Sequence, residues 1–223
     1  MANFEYAATG QLAKVPEDVV ALRDEWSLAR VLHLPEQCVV VIAGAYKGKL
    51  MEYMMLYHPC KSVYGFEPQP WAYDIATARV APYAACHVHP WGIALADVSN
   101  LPMGEWGTDG CSMMTGDRDT GYGQFKEVLG EFQKIIQHEE RAIDLCILNM
   151  EGYEFLLLEG LLRQAHIASM VRRFAVQFHL QYAQPAQYGA TLYALDQHYQ
   201  HNFGYFLPSW GLWSDVRLHE NTH

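Results

Sequence analysis

Two glycines and one acid are the first residues in this chain whose spacing suggests chemistry. Gly44 and Gly48 break the apolar, β-branched run Cys38-Val-Val-Val-Ile-Ala43, and the helix-compatible segment Lys49–Tyr57 follows at once. That order predicts a buried parallel strand, a tight turn and a helix. At Gly44, Ala45 and Gly48 the backbone can come close to a ligand, and the helix N-terminus beyond offers unpaired N–H groups to ribose, carboxylate or phosphate oxygens. Glu67 ends a second strand-like run, Ser62-Val-Tyr-Gly-Phe-Glu67, and Pro68-Gln-Pro70 punctuates it. An acid about 20 residues beyond a glycine turn is placed to accept hydrogen bonds from ribose hydroxyls; a solvent-facing Glu is the plainer alternative. Spacing narrows the ligand. Gly44 to Gly48 is one residue short of G-x-x-x-x-G-K-[ST], and Leu50 stands where a magnesium-binding hydroxyl belongs. Tyr46 occupies the second glycine of G-x-G-x-x-G, where a pyrophosphate must be admitted. A cofactor without phosphate between its sugar and its reactive end fits better.

The elements that position these residues follow in order. Val15 to Leu32 carries a proline near its start, early acids and apolar residues at helical spacing, so residues 1–35 read as an N-terminal helical extension, with Trp26 in a core or subunit contact. Trp71 to Val80 reads as a crossover helix and Ala84 to His89 as a third strand. His87 and His89 face the same way there, but no third ligand stands at metal spacing. Trp91 and Gly92 follow this strand; Trp91 flanks an adenine ring or is ordinary core. From Ser99 to Gln124 regular periodicity disappears while glycines accumulate, which predicts an irregular segment, either a substrate or lid loop or a poorly ordered insertion. Phe125 to Ile136 returns to helix spacing. Ala142 to Leu148 reads as a buried strand, followed by a helix opening near Glu151-Gly-Tyr-Glu154. Tyr188 to Tyr199 suits a helix ended by Gly204, with Tyr205–Leu207 and Asp215–Leu218 as a closing antiparallel pair and Trp210-Gly-Leu-Trp213 as the turn between them.

Composition sets the outer limits. A chain of 223 residues with 51% hydrophobic and 18% charged residues is long enough for one sizeable core and short for two, so one domain over 1–223 is expected. A net charge of -10 argues against unaided binding to nucleic acid, whose affinity depends on cations neutralising phosphates. The five cysteines form no C-x-x-C pair and read as buried thiols of a reducing compartment. With no apolar run near the length of a membrane span, the expectation is a cytoplasmic protein without membrane contact. Exposed aromatics near either terminus offer a homodimer face.

The run Leu148-Asn-Met-Glu-Gly-Tyr-Glu154, continued by Leu158-Glu-Gly160, joins the Gly44 turn, Phe66-Glu67-Pro68, Gly92-Ile-Ala-Leu95 and Val176-Gln-Phe-His179 in a fixed order. Together they resemble the FkbM family of S-adenosylmethionine-dependent methyltransferases over roughly Cys38 to His179. The resemblance implies a Rossmann-like α/β class I methyltransferase fold: a seven-stranded, mostly parallel sheet with an antiparallel C-terminal strand and helices on both faces. It implies S-adenosylmethionine as cofactor, held by Gly44, Ala45, Gly48, Glu67, Pro68, Trp91 and Gly92, and a saccharide or small hydroxylated metabolite as methyl acceptor. Transfer to an alcohol needs a base within hydrogen-bond reach. Glu151 and His179 are the candidates, with Asn149 able to orient an acceptor; His179 is favoured because its ordinary pKa suits neutral pH. The chain departs from the family at four charges. Ile42 replaces an acid that helps hold the methionine end of the cofactor, Ile147 a lysine, Asn149 an aspartate, and Gln177 the acid before His179. A degenerate member that keeps the fold as a binding or scaffold module is the alternative.

Overall fold

The computed structural model describes Ala29 and residues 32–105, 107–108, 111–112, 121–204 and 209–214, with the backbone alone at 180, 185, 201–204 and 209–214. The expected helix over 15–32, with Trp26, and the expected strands Tyr205–Leu207 and Asp215–Leu218 lie outside these residues, except for Ala29 and Leu32.

The main sheet is built on β1 (Val39–Ala43), whose five residues are all fully buried. β1 pairs in parallel with β2 (Ser62–Phe66) on one side and with β7 (Leu145–Leu148) on the other. β3 (Cys86–His89) extends the sheet beyond β2, and β8 (Arg173–Phe178) extends it beyond β7, again in parallel. β10 (Ser209–Ser214) runs antiparallel to β8 and to β9 (Gln200–Gly204), giving the order β3-β2-β1-β7-β8-β10-β9. Trp210-Gly-Leu-Trp213 is strand, and Gly204 ends β9 instead of a helix.

Alternation along β1 accounts for the layers. Val39, Val41 and Ala43 join one apolar cluster, while Val40 and Ile42 join the other, so both faces of the sheet are covered. Helix α1 (Lys49–Tyr57) buries Leu50, Met51 and Met54 in the second cluster. α2 (Pro70–Val80) links β2 to β3. α3 (Val128–Glu139) and α4 (Glu154–Leu162) pack Phe132, Phe155 and Leu158 into the first cluster, which α5 (Ile167–Met170) and α6 (Pro185–His198) extend.

Residues 99–124 depart most from the expected irregular segment. Val98–Met103 is strand β5 and Gly121–Glu127 is strand β6; with β4 (Gly92–Ala94) they form a second sheet in the order β4-β6-β5. Its burial alternates along β6, which glycines at buried positions hide from a periodicity reading. Phe125 consequently belongs to β6, and a Cβ on Gly92 would stand 2.4 Å from its ring. α3 starts only at Val128, where the Glu127 carboxylate accepts from the N–H groups of Leu129 and Gly130 at 3.0 and 2.6 Å. Among the described residues no helix is long and apolar enough to cross a membrane.

Candidate functional site

The strand order reverses at β1, where β2 and β7 leave on opposite sides, and open α/β sheets bind ligands outside the carboxyl ends of their strands at such a point. Gly44, Glu67, Trp91, Asn149, Glu151 and His179 all follow strand ends there.

Gly44 has φ +82°, and a Cβ on it would lie 1.9 Å from the Asn149 carbonyl oxygen, so the turn after β1 meets the end of β7 backbone to backbone. Gly44 and Ala45 donate their N–H groups to the Phe66 carbonyl at 3.1 and 3.0 Å, and Asn149 donates to the Ala43 carbonyl at 3.0 Å. Gly48 caps α1 at φ +73° against Ala76. Across this frame reaches Glu67. Its carboxylate accepts from the N–H groups of Tyr46 at 2.8 Å and Gln69 at 2.9 Å while only 3% of the residue is exposed. Burial pushes its pKa up to about 7 against the downward pull of those two N–H groups. Each oxygen keeps a further lone pair.

Gln69 and Ser112 tie residues 104–105, 107–108 and 111–112 to this end of the sheet. The Gln69 side-chain oxygen accepts from Trp71 Nε1 and from the Gly107 N–H, both at 3.0 Å, and its amide nitrogen donates to the Thr108 carbonyl at 3.2 Å. Ser112 Oγ donates to the Glu151 carbonyl at 2.5 Å. Pro68 lies against Gly123, where a Cβ would be 3.2 Å away.

The second half of the site is an imidazole between two carboxylates. His179 Nε2 lies 3.0 Å from Glu151 Oε1, and Nδ1 lies 3.1 Å from Glu154 Oε1. Glu154 is fully buried and also accepts from the N–H groups of His179 and Gly152 at 2.8 and 2.9 Å. Burial alone would lower the His179 pKa; the bonds to Glu151 and Glu154 together outweigh it and push it up to about 9. The two carboxylate partners thus favour the protonated form of the His179 ring. Glu151 stands at φ +49° with its side chain 22% exposed, the open member of the group. Sequence reading missed Glu154 as a partner because an acid in the first turn of a helix already has a sufficient role toward the helix dipole.

Two polar atoms at these strand ends have no protein partner among the described residues although both are buried: Trp91 Nε1 and Asn149 Oδ1. Trp91 packs against the first core cluster and lies 5.0 Å, ring to ring, from His89. His87 and His89 stack on Tyr64 and Phe66, and no group of His, Cys, Asp or Glu among the described residues is arranged to hold a metal ion. Ile42 and Ile147 are fully buried in the second cluster and supply no polar contact. Asp144 sits at the opposite end of the sheet, where it accepts from the Val39 N–H at 2.9 Å and pairs with Arg141 and Arg172.

No protein-family model matches the chain, and no curated protein does. Solved structures do match. A candidate methyltransferase from Streptococcus mutans, solved in complex with S-adenosylhomocysteine, aligns with 82% of this chain and 91% of its own at 12% identity and a TM-score of 0.50. A protein in the NADB-Rossmann superfamily from Streptococcus agalactiae aligns with 86% of this chain and 67% of its own at 11% identity, also with a TM-score of 0.50. The likeness is one of fold. The chain thus has a Rossmann-like α/β fold, and its chemistry has to be argued from its own side chains.

Proposed function

We propose that the protein is an S-adenosylmethionine-dependent methyltransferase of FkbM type, transferring a methyl group to a hydroxyl of a saccharide or small metabolite. The observation that carries this reading is Glu67, a buried carboxylate after β2 bonded to the glycine turn after β1, beside the reversal of strand order. The residues present fit the cofactor. The second lone pairs of the Glu67 oxygens suit ribose hydroxyls, and the glycine turn beside it is the backbone a sugar would approach. The unpartnered Nε1 of Trp91 suits an adenine acceptor, and the unpartnered Oδ1 of Asn149 suits the methionine ammonium in place of the charge lost at Ile42. Bound there, S-adenosylmethionine supplies an electrophilic methyl carbon on a sulfonium.

The chain's own residues then handle the proton. Glu151, the partly exposed carboxylate, is the group that would take the proton of the acceptor hydroxyl. His179 is a positioning residue: its imidazolium holds Glu151 through Nε2 and is itself fixed by Glu154 through Nδ1. The net charge of -10 disfavours a nucleic-acid acceptor and leaves small neutral hydroxyl compounds as the best match.

Calorimetric titration with S-adenosylmethionine and S-adenosylhomocysteine tests the reading, with Glu67→Ala and Glu67→Gln as variants whose fold is checked by circular dichroism. Micromolar binding weakened about a hundredfold or more by either change is expected. Absence of binding near millimolar concentration would overturn it. The chain would then be a fold kept for binding or scaffolding, a reading that the fully buried Ile42 and Ile147 favour.

A further inference from the structure

Strand pairing brings together two cysteines that form no motif in the sequence. Cys38 precedes β1 and Cys60 precedes β2; Val39 pairs with Ser62, and the Lys61 N–H donates to the Cys38 carbonyl at 2.8 Å. Their sulfurs stand 3.0 Å apart in one S–H···S contact, although both are free thiols. Cys38 is fully buried, and Cys60 keeps 8% of its surface exposed. We propose that Cys38 and Cys60 are a reversible redox pair that closes into a disulfide and cross-links the two ends of the segment carrying β1, the glycine turn and α1. The backbone contacts already hold the two residues side by side, so only the sulfurs must approach.

The oxidant is a peroxide. The Cys38 thiolate, stabilised by the thiol of Cys60, attacks one peroxide oxygen; the O–O bond breaks and the departing oxygen leaves as water once protonated. The resulting sulfenic acid is attacked by the Cys60 sulfur, the S–S bond forms, the S–O bond breaks, and hydroxide takes the Cys60 proton to leave as a second water. Two thiols are oxidised and one peroxide is reduced to two waters. A dithiol reductant reverses the change by exchange.

The full chain is reduced, desalted and exposed to stepwise additions of hydrogen peroxide, then read by peptide mapping without reduction and by thermal melting. The expected result is a single Cys38–Cys60 linkage, reversed by dithiothreitol, with Tm raised by roughly 5–10 °C because the cross-link restricts the unfolded chain. Cys60→Ser should lose both the linkage and the rise. Maps in which Cys38 and Cys60 remain thiols or carry oxygen without linkage, or in which Cys86, Cys111 or Cys146 pair instead, would overturn the assignment. A linkage that leaves Tm unchanged would overturn the locking role.

Discussion

Glu154→Gln is the substitution that most directly tests the carboxylate–imidazole–carboxylate group. The native carboxylate is fully buried and accepts three hydrogen bonds, from the His179 N–H at 2.8 Å, His179 Nδ1 at 3.1 Å and the Gly152 N–H at 2.9 Å. Glutamine keeps the shape and removes the charge. On the Oε1 side two bonds survive as neutral ones, each weaker by about 1 kcal/mol than a bond to a charged acceptor. On the Oε2 side an amide nitrogen meets the Gly152 N–H, donor against donor, at a cost of about 1–3 kcal/mol. The sum, about 3–5 kcal/mol, is a large share of a domain's stability. Urea denaturation at pH 7 measures it, with folding of the variant verified by circular dichroism. Titration of His179 by NMR supplies a second readout, because losing one of its two carboxylate partners should move its pKa down from about 9. Glu151→Gln is the contrast. Its side chain is 22% exposed and makes one contact to His179, so stability should fall by only about 1 kcal/mol while methyl transfer falls about 10²–10⁴-fold. A Glu154→Gln loss below about 1 kcal/mol, with the His179 midpoint unmoved, would mean that Glu154 is not the charged partner of His179 and would refute the reasoning.

Gly44→Ala places a Cβ 1.9 Å from the Asn149 carbonyl oxygen at φ +82°, so it should lower the urea midpoint by the equivalent of about 3 kcal/mol or more and abolish cofactor binding. Stability should fall with rising pH in two windows. Glu67 has its pKa raised from 4.5 to about 7, so the folded chain binds the extra proton and stability declines between those values; His179, raised from 6.5 to about 9, contributes fully below pH 6.5 and loses that contribution as pH passes about 9. Denaturant midpoints across pH 4–10 in Glu67→Gln and His179→Gln should each lose one window. Ile42→Asp and Ile147→Lys should each destabilise by more than about 4 kcal/mol, while the double variant should recover part of the loss, because the two positions pair in register across β1 and β7. A double-mutant cycle in urea measures that recovery, and strict additivity would count against a shared site.

Much of the frame was legible because it rests on local signals. The β-branched run ending at Ala43 can be satisfied only as a strand buried on both faces, and the glycines after it admit only a turn. The second sheet was hidden. Gly121 and Gly123 fill buried positions of β6, so the alternation that marks a strand has no apolar side chain to show it. Trp210-Gly-Leu-Trp213 reads as a turn and is strand, because aromatic residues spread from Phe203 to Trp213 blur the boundary between the two. At the site, positions could be read but partners could not. Nothing in the spacing of Gln69, Ser112 or Glu154 says that one clamps a loop, one grips the Glu151 turn and one charges a histidine, since those contacts span 25 to 39 residues of chain.

The four charges that the FkbM resemblance would call for take on a different meaning once their positions in the sheet are known. Ile42 and Ile147 are register partners on neighbouring strands, both fully buried and both in the same apolar cluster. An acid and a lysine at these two positions would form a buried ion pair, and replacing such a pair by packed hydrophobic residues is often neutral or stabilising, whereas removing one member alone is strongly destabilising. The two isoleucines therefore act as one packing unit in the core. Asn149 belongs elsewhere: it lies past the end of β7, keeps a hydrogen-bond acceptor, and that acceptor is buried without a protein partner. Charged side chains gather instead at the carboxyl ends of the strands, in Glu151, His179 and Glu154, and at Glu67 beside the turn. Under the proposed methyltransferase reading, desolvating Glu67, Glu151, Glu154 and His179 at the carboxyl ends of the strands has a use that packing alone does not give it.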